Sequence, residues 1–233
     1  MKTLSVYLHL YAECFRKALG AIGRNAWTLL LPVVLLLARD WAGRLVLPLG
    51  LIGGILVTLA TAALFSSYLY FVGELVRGGR VSLGEMKRSF GAYLWSIVNV
   101  YFVVWVASLV VQLLLGGSSN STAVLYALWI VAVVAFNAVP EVIYLRGTYG
   151  GMQTIAASWD FLKAQWIPWA AANVPLLALL ALLALVAGYV RLPVVGEVVL
   201  GAVLHVIMVF RGNLFRVLDG SSHRGRMFAR RVA

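Results

Sequence analysis

The sequence contains few charged residues and a single cysteine. Charged side chains make up 12% of the 233 residues, whereas hydrophobic side chains make up 63%. Because a soluble domain carries roughly a quarter charged residues, this composition excludes a purely water-soluble fold. Cys14 is the only cysteine, so an intrachain disulfide and a site built from several thiolates are excluded too.

The common local signatures of enzymes are also missing. The sequence has no Walker-type phosphate loop, no H-E-x-x-H zinc motif and no G-x-S-x-G elbow. The three histidines, His9, His205 and His223, are too scattered in the sequence to predict a metal site. We therefore expect a protein that is not an enzyme and that uses no cofactor.

Acidic residues are scarce relative to basic ones. Eight Asp and Glu stand against 19 Lys and Arg, which gives a net charge of +11. In so apolar a chain this excess of cations predicts that the basic loops lie mostly on one side of the membrane and that they attract anionic lipids. Nucleic-acid binding is not expected, since no folded basic domain is present.

Long apolar runs dominate what remains. A membrane-spanning helix needs about 20 apolar residues, and six runs approach or exceed that length, near 26–38, 45–73, 95–115, 123–145, 164–190 and 194–210. The first run is short, so it either extends back towards Gly20 or forms a re-entrant segment. We predict an all-α integral membrane protein, a six-helix bundle.

Amphipathic segments precede three of these runs. Ser82 and Glu85 fit a capping box at the start of the second segment. For the first segment, a helix in the headgroup plane and a helix packed on its own protein are equally open. The apolar positions follow helical spacing: Leu4, Leu8, Tyr11, Phe15, Ala18 and Ile22; Met86, Phe90, Tyr93 and Ile97; Met152, Ile155, Trp159, Leu162 and Trp166.

The segments and runs suggest a threefold internal repeat of one surface helix and one membrane hairpin. Three runs end in similar tripeptides, Val76-Arg77-Gly78, Leu145-Arg146-Gly147 and Phe210-Arg211-Gly212, and two begin with the pattern Trp-x-x-x-Asn-Val at Trp95 and Trp169. We predict one transmembrane domain over 1–212, with repeats near 3–78, 79–147 and 148–212, and a basic cytoplasmic tail over 213–233.

The distribution of cations predicts the orientation. With six crossings, all but three of the 19 lysines and arginines fall on the side of the two termini; the exceptions are Arg39, Arg44 and Arg191. Cationic loops stay in the cytoplasm. We therefore expect a bacterial or archaeal cytoplasmic (inner) membrane protein with both termini cytoplasmic.

Polar side chains within the spans form a first candidate site, because such groups are costly in lipid. The cluster consists of Glu74, Asn99, Glu141, Asn173 and His205. One interpretation is a proton-linked or headgroup-binding pocket in which Glu141 and His205 exchange a proton. The alternative is a structural cluster that fixes helix packing.

Cations on the predicted cytoplasmic side form a second candidate site, for anionic lipid headgroups. The alternative is that they express only the positive-inside bias. The candidate contacts are Arg16, Lys17, Arg24, Arg77, Arg80, Lys87, Arg88, Arg146, Lys163, Arg211 and Arg216.

The layout of spans and connectors, together with the segment from Tyr70 to Glu85, resembles bacterial inner-membrane families. These are the YciC-like proteins and the membrane domain of some glycerophosphodiester phosphodiesterases. The resemblance implies no catalytic residues. We expect a non-enzymatic membrane protein that binds or organises lipid, or a membrane subunit that associates with other subunits or with itself. The alternative is a small transporter or permease subunit with a polar site near Glu141 and His205.

Overall fold

The computed structural model describes residues 2–115, 126, 130, 132, 136–147, 150–189 and 193–220, and within these residues every regular element is helical. The α-helices are α1 (Lys2–Arg24), α2 (Leu31–Val46), α3 (Leu51–Arg77), α4 (Met86–Ser89), α5 (Leu94–Leu115), α6 (Val139–Glu141), α7 (Gly151–Tyr189) and α8 (Pro193–Asp219). Short 3₁₀-helices cover Ala26–Leu30, Leu47–Leu49 and Leu83–Glu85, and a π-helix covers Val142–Arg146.

Several of these helices are long and apolar enough to cross a membrane. Four candidates occur within the described residues: Leu51–Arg77, Met86–Leu114, Gly151–Leu183 and Gly196–Asp219. A fifth arises if the pair Ser5–Arg24 and Ala26–Val46, which meet at 99°, counts as one broken span. The helical fold class is therefore confirmed, and the apolar helices are those of a membrane protein.

The number six stays a prediction. Most of the run predicted to cross at 123–145 lies outside the described residues. The 99° bend between α1, which ends at Arg24, and the segment that begins at Ala26 shows that the first run does not extend back towards Gly20 as one straight helix, so that expectation is wrong, and the re-entrant alternative stays a prediction. The threefold repeat also stays a prediction.

The first amphipathic segment, α1, packs on its own protein and also presents an apolar surface outward. It buries Cys14 and Ala18 and exposes Leu8, Phe15 and Leu19. Small side chains allow helices to approach closely within a membrane. The interpretation as a helix packed on its own protein is therefore confirmed, whereas a position in the headgroup plane, which the exposed apolar side chains would suit, stays a prediction.

The amphipathic segment at 152–166 forms the first half of α7 and, like α1, presents large apolar side chains outward. Its predicted stripe faces outward, since the side chains of Met152, Trp159 and Trp166 are each at least half exposed. The opposite face, with Thr154 and Ser158, is fully buried. The helix was predicted correctly, and its buried face combines the small polar Thr154 and Ser158 with Phe161.

A break in α7 separates this segment from the span that follows. Gln165 has φ −129° and ψ 21°, which are not helical angles, and Pro168 follows three residues later. Proline favours the first turn of a helix because its nitrogen needs no hydrogen-bond partner there. The break therefore lies where the predicted amphipathic stripe, which ends at Trp166, overlaps the uncharged run that begins at Ala164, and the fifth crossing itself stays a prediction.

The second amphipathic segment differs from its prediction. In place of one helix over Ser82 to Ile97, the chain forms the turn Leu83–Glu85, the four-residue α4 and a bend before Leu94. The Ser82 hydroxyl accepts a hydrogen bond from the Gly84 amide, at 3.2 Å, so the predicted capping box with Glu85 is wrong.

The two predicted helix exits at Arg77-Gly78 and Arg146-Gly147 are confirmed. Gly78 has φ +85° and Gly147 has φ +68°, left-handed conformations in which glycine closes a helix without strain. The exit at Arg211-Gly212 is wrong, because α8 continues to Asp219. The tail predicted from residue 213 therefore begins as helix.

The core lies at the end of the bundle that carries Arg77, Arg146 and Arg211. Fully buried side chains there include Phe71, Leu75, Ile97, Tyr144 and Phe215. Towards the other end, apolar side chains such as Leu51, Ile52, Leu113 and Leu114 are exposed. The well-packed end therefore positions the polar sites described below.

Candidate functional site

A cationic pocket opens at the well-packed end, between α1, α3 and α8. Its volume is about 370 Å³. Five of its lining side chains are basic, and among the described residues that line it none is acidic. The basic residues are Arg16, Lys17 and Arg24 from α1, Arg77 from α3 and Arg216 from α8. We call this the cationic pocket.

The spacing along α1 builds one wall of the cationic pocket. Lys17 and Gly20, and Gly20 and Arg24, lie three and four residues apart, so they share a helix face. A methyl group at Gly20 would meet nothing within 4 Å. The missing side chain at this position therefore leaves the space that the neighbouring cations surround.

Carboxylates neutralise two of the five cations. Lys17 pairs with Glu13 at 2.7 Å and Arg77 with Glu74 at 2.9 Å. Within the described part of the chain, no ion pair engages Arg16, Arg24 or Arg216. The cationic pocket therefore retains about three uncompensated positive charges.

Two arginines of the cationic pocket, Arg77 and Arg216, donate hydrogen bonds to carbonyls at the ends of neighbouring helices. Arg216 donates to the Val76 carbonyl at 2.9 Å, and Arg77 donates to the Tyr144 carbonyl at 2.7 Å. Carbonyls in the last turn of a helix have no partner within the helix and carry partial negative charge. These bonds orient the guanidinium groups and tie α3 to α8 and to the π-helix.

Eleven cations were predicted to contact lipid, and the structure gathers five of them in the cationic pocket. Arg80, Lys87, Arg88 and Lys163 are exposed elsewhere, and Lys163 pairs with Asp160 at 2.9 Å. Arg146 pairs with Asp219, which raises the pKa of its guanidinium, and donates to the Ala157 carbonyl. Arg211 points into the core, so its prediction as a headgroup contact is wrong.

A buried ion pair joins Arg211 to Glu141. Nε and Nη2 of Arg211 lie 2.9 and 3.0 Å from the two carboxylate oxygens of Glu141. The Glu141 side chain is 0% exposed and that of Arg211 is 11% exposed. Burial strengthens the attraction between the charges but also makes either charge very costly when alone.

Further contacts surround the guanidinium of Arg211. It donates to the carbonyl of Asn137 and lies 5.2 Å from the centre of the Trp169 ring, within cation–π range. The Trp169 indole in turn donates to the Asn137 side-chain oxygen at 3.1 Å. Three segments, 136–141, α7 and α8, are thus locked together by one arginine.

His205 lies in a separate polar group. Its Nε2 is 3.1 Å from the Thr28 hydroxyl, and its ring centre is 5.8 Å from that of Tyr68. Within the described residues, His205 Nδ1 and the buried hydroxyls of Tyr68 and Tyr144 have no hydrogen-bond partner. These atoms leave hydrogen-bonding capacity inside the apolar bundle.

The predicted polar cluster is therefore divided. Glu141 pairs with Arg211, His205 with Thr28, and Asn173 donates to the backbone of Trp169 at 2.8 Å. Glu74 is half-buried beside Arg77 and Asn99 is exposed. The structure does not pair Glu141 with His205, so their predicted proton exchange has no direct contact to support it.

Sequence reasoning missed three partners of these groups: Thr28, Tyr68 and Trp169. All three stand inside apolar runs, where hydroxyl and indole groups give no distinctive signal. The available clue was Arg211, which directly follows the last apolar run, because a charge at such a position requires a partner if the helix continues past it.

Among the residues that the structure describes, no group of three His, Cys, Asp or Glu side chains could hold a metal ion. Comparison with protein-family models, with curated proteins and with solved structures finds no match to this chain. The resemblance to the YciC-like families stays a prediction.

Proposed function

We propose that this chain is a non-enzymatic multi-pass membrane protein that binds anionic phospholipid headgroups on its predicted cytoplasmic side. The cationic pocket carries the proposal. It holds five basic side chains from α1, α3 and α8, and within the described residues three of them make no ion pair. Cations near a membrane surface each contribute about 1 kcal/mol of attraction to anionic lipid.

The outward faces of the amphipathic helices support a role at the lipid surface. Phe15 and Leu19 on α1 are nearly half exposed, although Cys14 and Ala18 beside them are buried. A helix that exposes its large apolar side chains and buries its small ones suits contact with acyl chains. Lipid bound at the cationic pocket would thus find apolar contacts on the same helix.

A lipid-binding measurement with a matched control tests the proposal. The double variant Arg16→Gln/Arg24→Gln removes two uncompensated charges from the cationic pocket. The control Lys87→Gln/Arg88→Gln removes the same charge from exposed residues of α4. Full-length protein would be purified in mild detergent, titrated with phosphatidylglycerol and examined by native mass spectrometry.

We expect the pocket variant to lose about 30-fold in lipid affinity, which corresponds to roughly 1 kcal/mol for each cation. The control should retain affinity within a few-fold of the unsubstituted chain. Equal losses in both variants would mean that only overall charge attracts lipid, and the proposal would then be abandoned.

A second candidate function is a small transporter. The observation that favours it is the set of buried polar atoms without described partners, Tyr68 Oη, Tyr144 Oη and His205 Nδ1. Against it, the cavity of about 310 Å³ beside Tyr68 is lined mainly by leucines and Phe65, with Arg39 at its edge. Proton flux into proteoliposomes that depends on Glu141 and His205 would favour the transporter over the lipid-binding protein.

A further inference from the structure

We infer that the cationic pocket prefers a phosphomonoester lipid headgroup, which carries close to two negative charges, over a phosphodiester headgroup with one. This inference rests on the proposed function and names the ligand class of the same site. It follows from the number of uncompensated cations, from the donors they present and from the apolar part of the lining.

The charges around the pocket suit an anion with more than one negative charge. Glu13 and Glu74 offset Lys17 and Arg77, which leaves Arg16, Arg24 and Arg216. A phosphodiester would neutralise one of these three charges. A phosphomonoester carries about −1.5 to −2 at neutral pH and would neutralise nearly two.

The donors are guanidinium groups, which match phosphate oxygens better than ammonium groups do. A guanidinium presents a rigid fork of N–H donors that binds two oxygens at once. A phosphomonoester offers three terminal oxygens, whereas a phosphodiester offers two. Three arginines without carboxylate partners can therefore engage more bonds with the former ligand.

Helix ends near the pocket oppose an anion, and the structure reduces their effect. The last carbonyls of α3 carry partial negative charge. Arg216 covers the Val76 carbonyl, and the backbone amides of Gly78 and Gly79 cover those of Leu75 and Glu74, at 3.1 and 3.0 Å. The remaining arginine N–H groups can thus face the ligand.

The lining also favours a lipid over free phosphate. Of the apolar residues that line the pocket, Ala21, Leu75 and Val76 are buried and Val217 is partly exposed, and Phe15 and Leu19 on α1 add exposed apolar surface. Inorganic phosphate would gain nothing from Val217, Phe15 and Leu19, whereas the glycerol backbone and first methylene groups of a lipid would bury against them.

The test compares phosphatidic acid with phosphatidylglycerol of the same acyl chains, each titrated into the full chain in mild detergent and resolved by native mass spectrometry. We expect about fivefold tighter binding of phosphatidic acid at pH 7.5, since one additional charge near a cation contributes ~1 kcal/mol. Inorganic phosphate, added as a competitor at the same concentration, should displace little phosphatidic acid.

Titration of the ligand provides an independent readout. The second pKa of a phosphomonoester is near 6, so the preference should fall as the buffer is changed from about pH 7.5 to about pH 5. Binding of phosphatidylglycerol, which does not titrate in this range, should stay constant. A preference that ignores pH would overturn the inference.

A variant that changes shape and not charge locates the binding. Gly20→Leu places a side chain into the open space of the pocket, and Gly91→Leu places the same side chain in an exposed turn before α5 that does not line the pocket. Only the first should weaken phosphatidic acid binding, by about 30-fold, because it displaces headgroup contacts with two cations that contribute ~1 kcal/mol each.

The outcomes separate this inference from the proposed function. Equal affinity for the two lipids, with binding still lost in Gly20→Leu, overturns the phosphomonoester preference and keeps the lipid-binding function. Binding that neither Gly20→Leu nor Arg16→Gln/Arg24→Gln alters overturns both. Displacement of phosphatidic acid by an equal concentration of inorganic phosphate would show that the ligand is phosphate itself.

Discussion

Arg211 and Glu141 form a two-point ion pair between residues that stand 70 positions apart in the chain. Because the Glu141 side chain is fully buried, its charge depends on this single cation. The pair joins α8 to the segment that ends in Gly147, so it holds these two segments together at the well-packed end of the bundle. Its contacts support a structural role for Glu141.

Removal of Arg211 alone should therefore destabilise the protein strongly. We expect Arg211→Met to lower the free energy of unfolding by about 3 kcal/mol, because the Glu141 carboxylate would remain buried without a cation. The double variant Arg211→Met/Glu141→Leu should recover much of this loss. Thermal unfolding in detergent measures both, with Arg88→Met as the exposed control. A double variant no more stable than the single one would contradict the claim that the unpaired Glu141 carboxylate causes the loss.

Gly212 is required for close packing and not for a helix exit. A methyl group there would collide with the Tyr144 hydroxyl and lie 2.6 Å from a methyl carbon of Val76. We expect Gly212→Ala to cost about 1–3 kcal/mol through overpacking. Gly23→Ala, where a methyl group meets nothing within 4 Å, should leave thermal stability unchanged or slightly higher.

Adding Tyr144→Phe to Gly212→Ala should restore part of the lost stability, since it removes the colliding hydroxyl. No recovery would place the strain at Val76 alone. A Gly212→Ala variant as stable as Gly23→Ala would show that α8 can shift away from Tyr144.

Asn25 connects the junction between α1 and the 3₁₀-helix Ala26–Leu30 to the loop after α3. Its side-chain oxygen accepts a hydrogen bond from the Val81 amide at 3.0 Å, and its amide donates to the Ala21 carbonyl at 3.0 Å. We expect Asn25→Ala to cost about 1–3 kcal/mol, because the buried Val81 amide would lose its partner. The control Ser82→Ala removes an exposed turn bond and should cost much less in the same unfolding assay.

The orientation can be tested with single introduced cysteines, because Cys14 is only 1% exposed and should label poorly. An impermeant maleimide added to intact cells should label Arg44→Cys, on the predicted outer side. Lys87→Cys should react only after the membrane is permeabilised. Both positions are exposed, so access to the reagent decides the result. The reverse pattern would contradict the positive-inside prediction.

Local features of the fold could be predicted from the sequence. Gly78 and Gly147 close helices because glycine alone adopts positive φ without strain. The break at Gln165 lies where the predicted amphipathic stripe gives way to an uncharged run, so the change of pattern marks its region. Such features depend on residues that are close in the sequence, so a sequence pattern is enough to predict them.

The pairing of distant groups could not be predicted in the same way. Arg211-Gly212 has the same sequence as two true helix exits, yet here the arginine pairs with Glu141 and the glycine packs against Tyr144. The polar residues of the apolar runs suggested that Glu141 and His205 would meet, but Glu141 pairs with Arg211 and His205 with Thr28. Which residues of two helices meet is set by tertiary packing, which the spacing along one helix does not encode.

The direction of the amphipathic faces shows a further limit. An apolar stripe predicts a buried face in water, whereas Trp159 and Trp166 face outward and Thr154 and Ser158 are buried. Lipid is as apolar as leucine, so apolarity does not determine which face of a helix packs on the protein. For α1, this arrangement leaves the cations beside small buried residues and so forms the cationic pocket.

The most direct test of lipid binding at the cationic pocket is photo-crosslinking in the native membrane. A photoreactive side chain at Gly20 would lie in the pocket, and one at Leu51, which is 82% exposed, would contact bulk lipid. Mass spectrometry of the adducts should show anionic lipids enriched at Gly20 and bulk composition at Leu51. Bulk composition at both positions, or no lipid adduct at Gly20, would contradict the account.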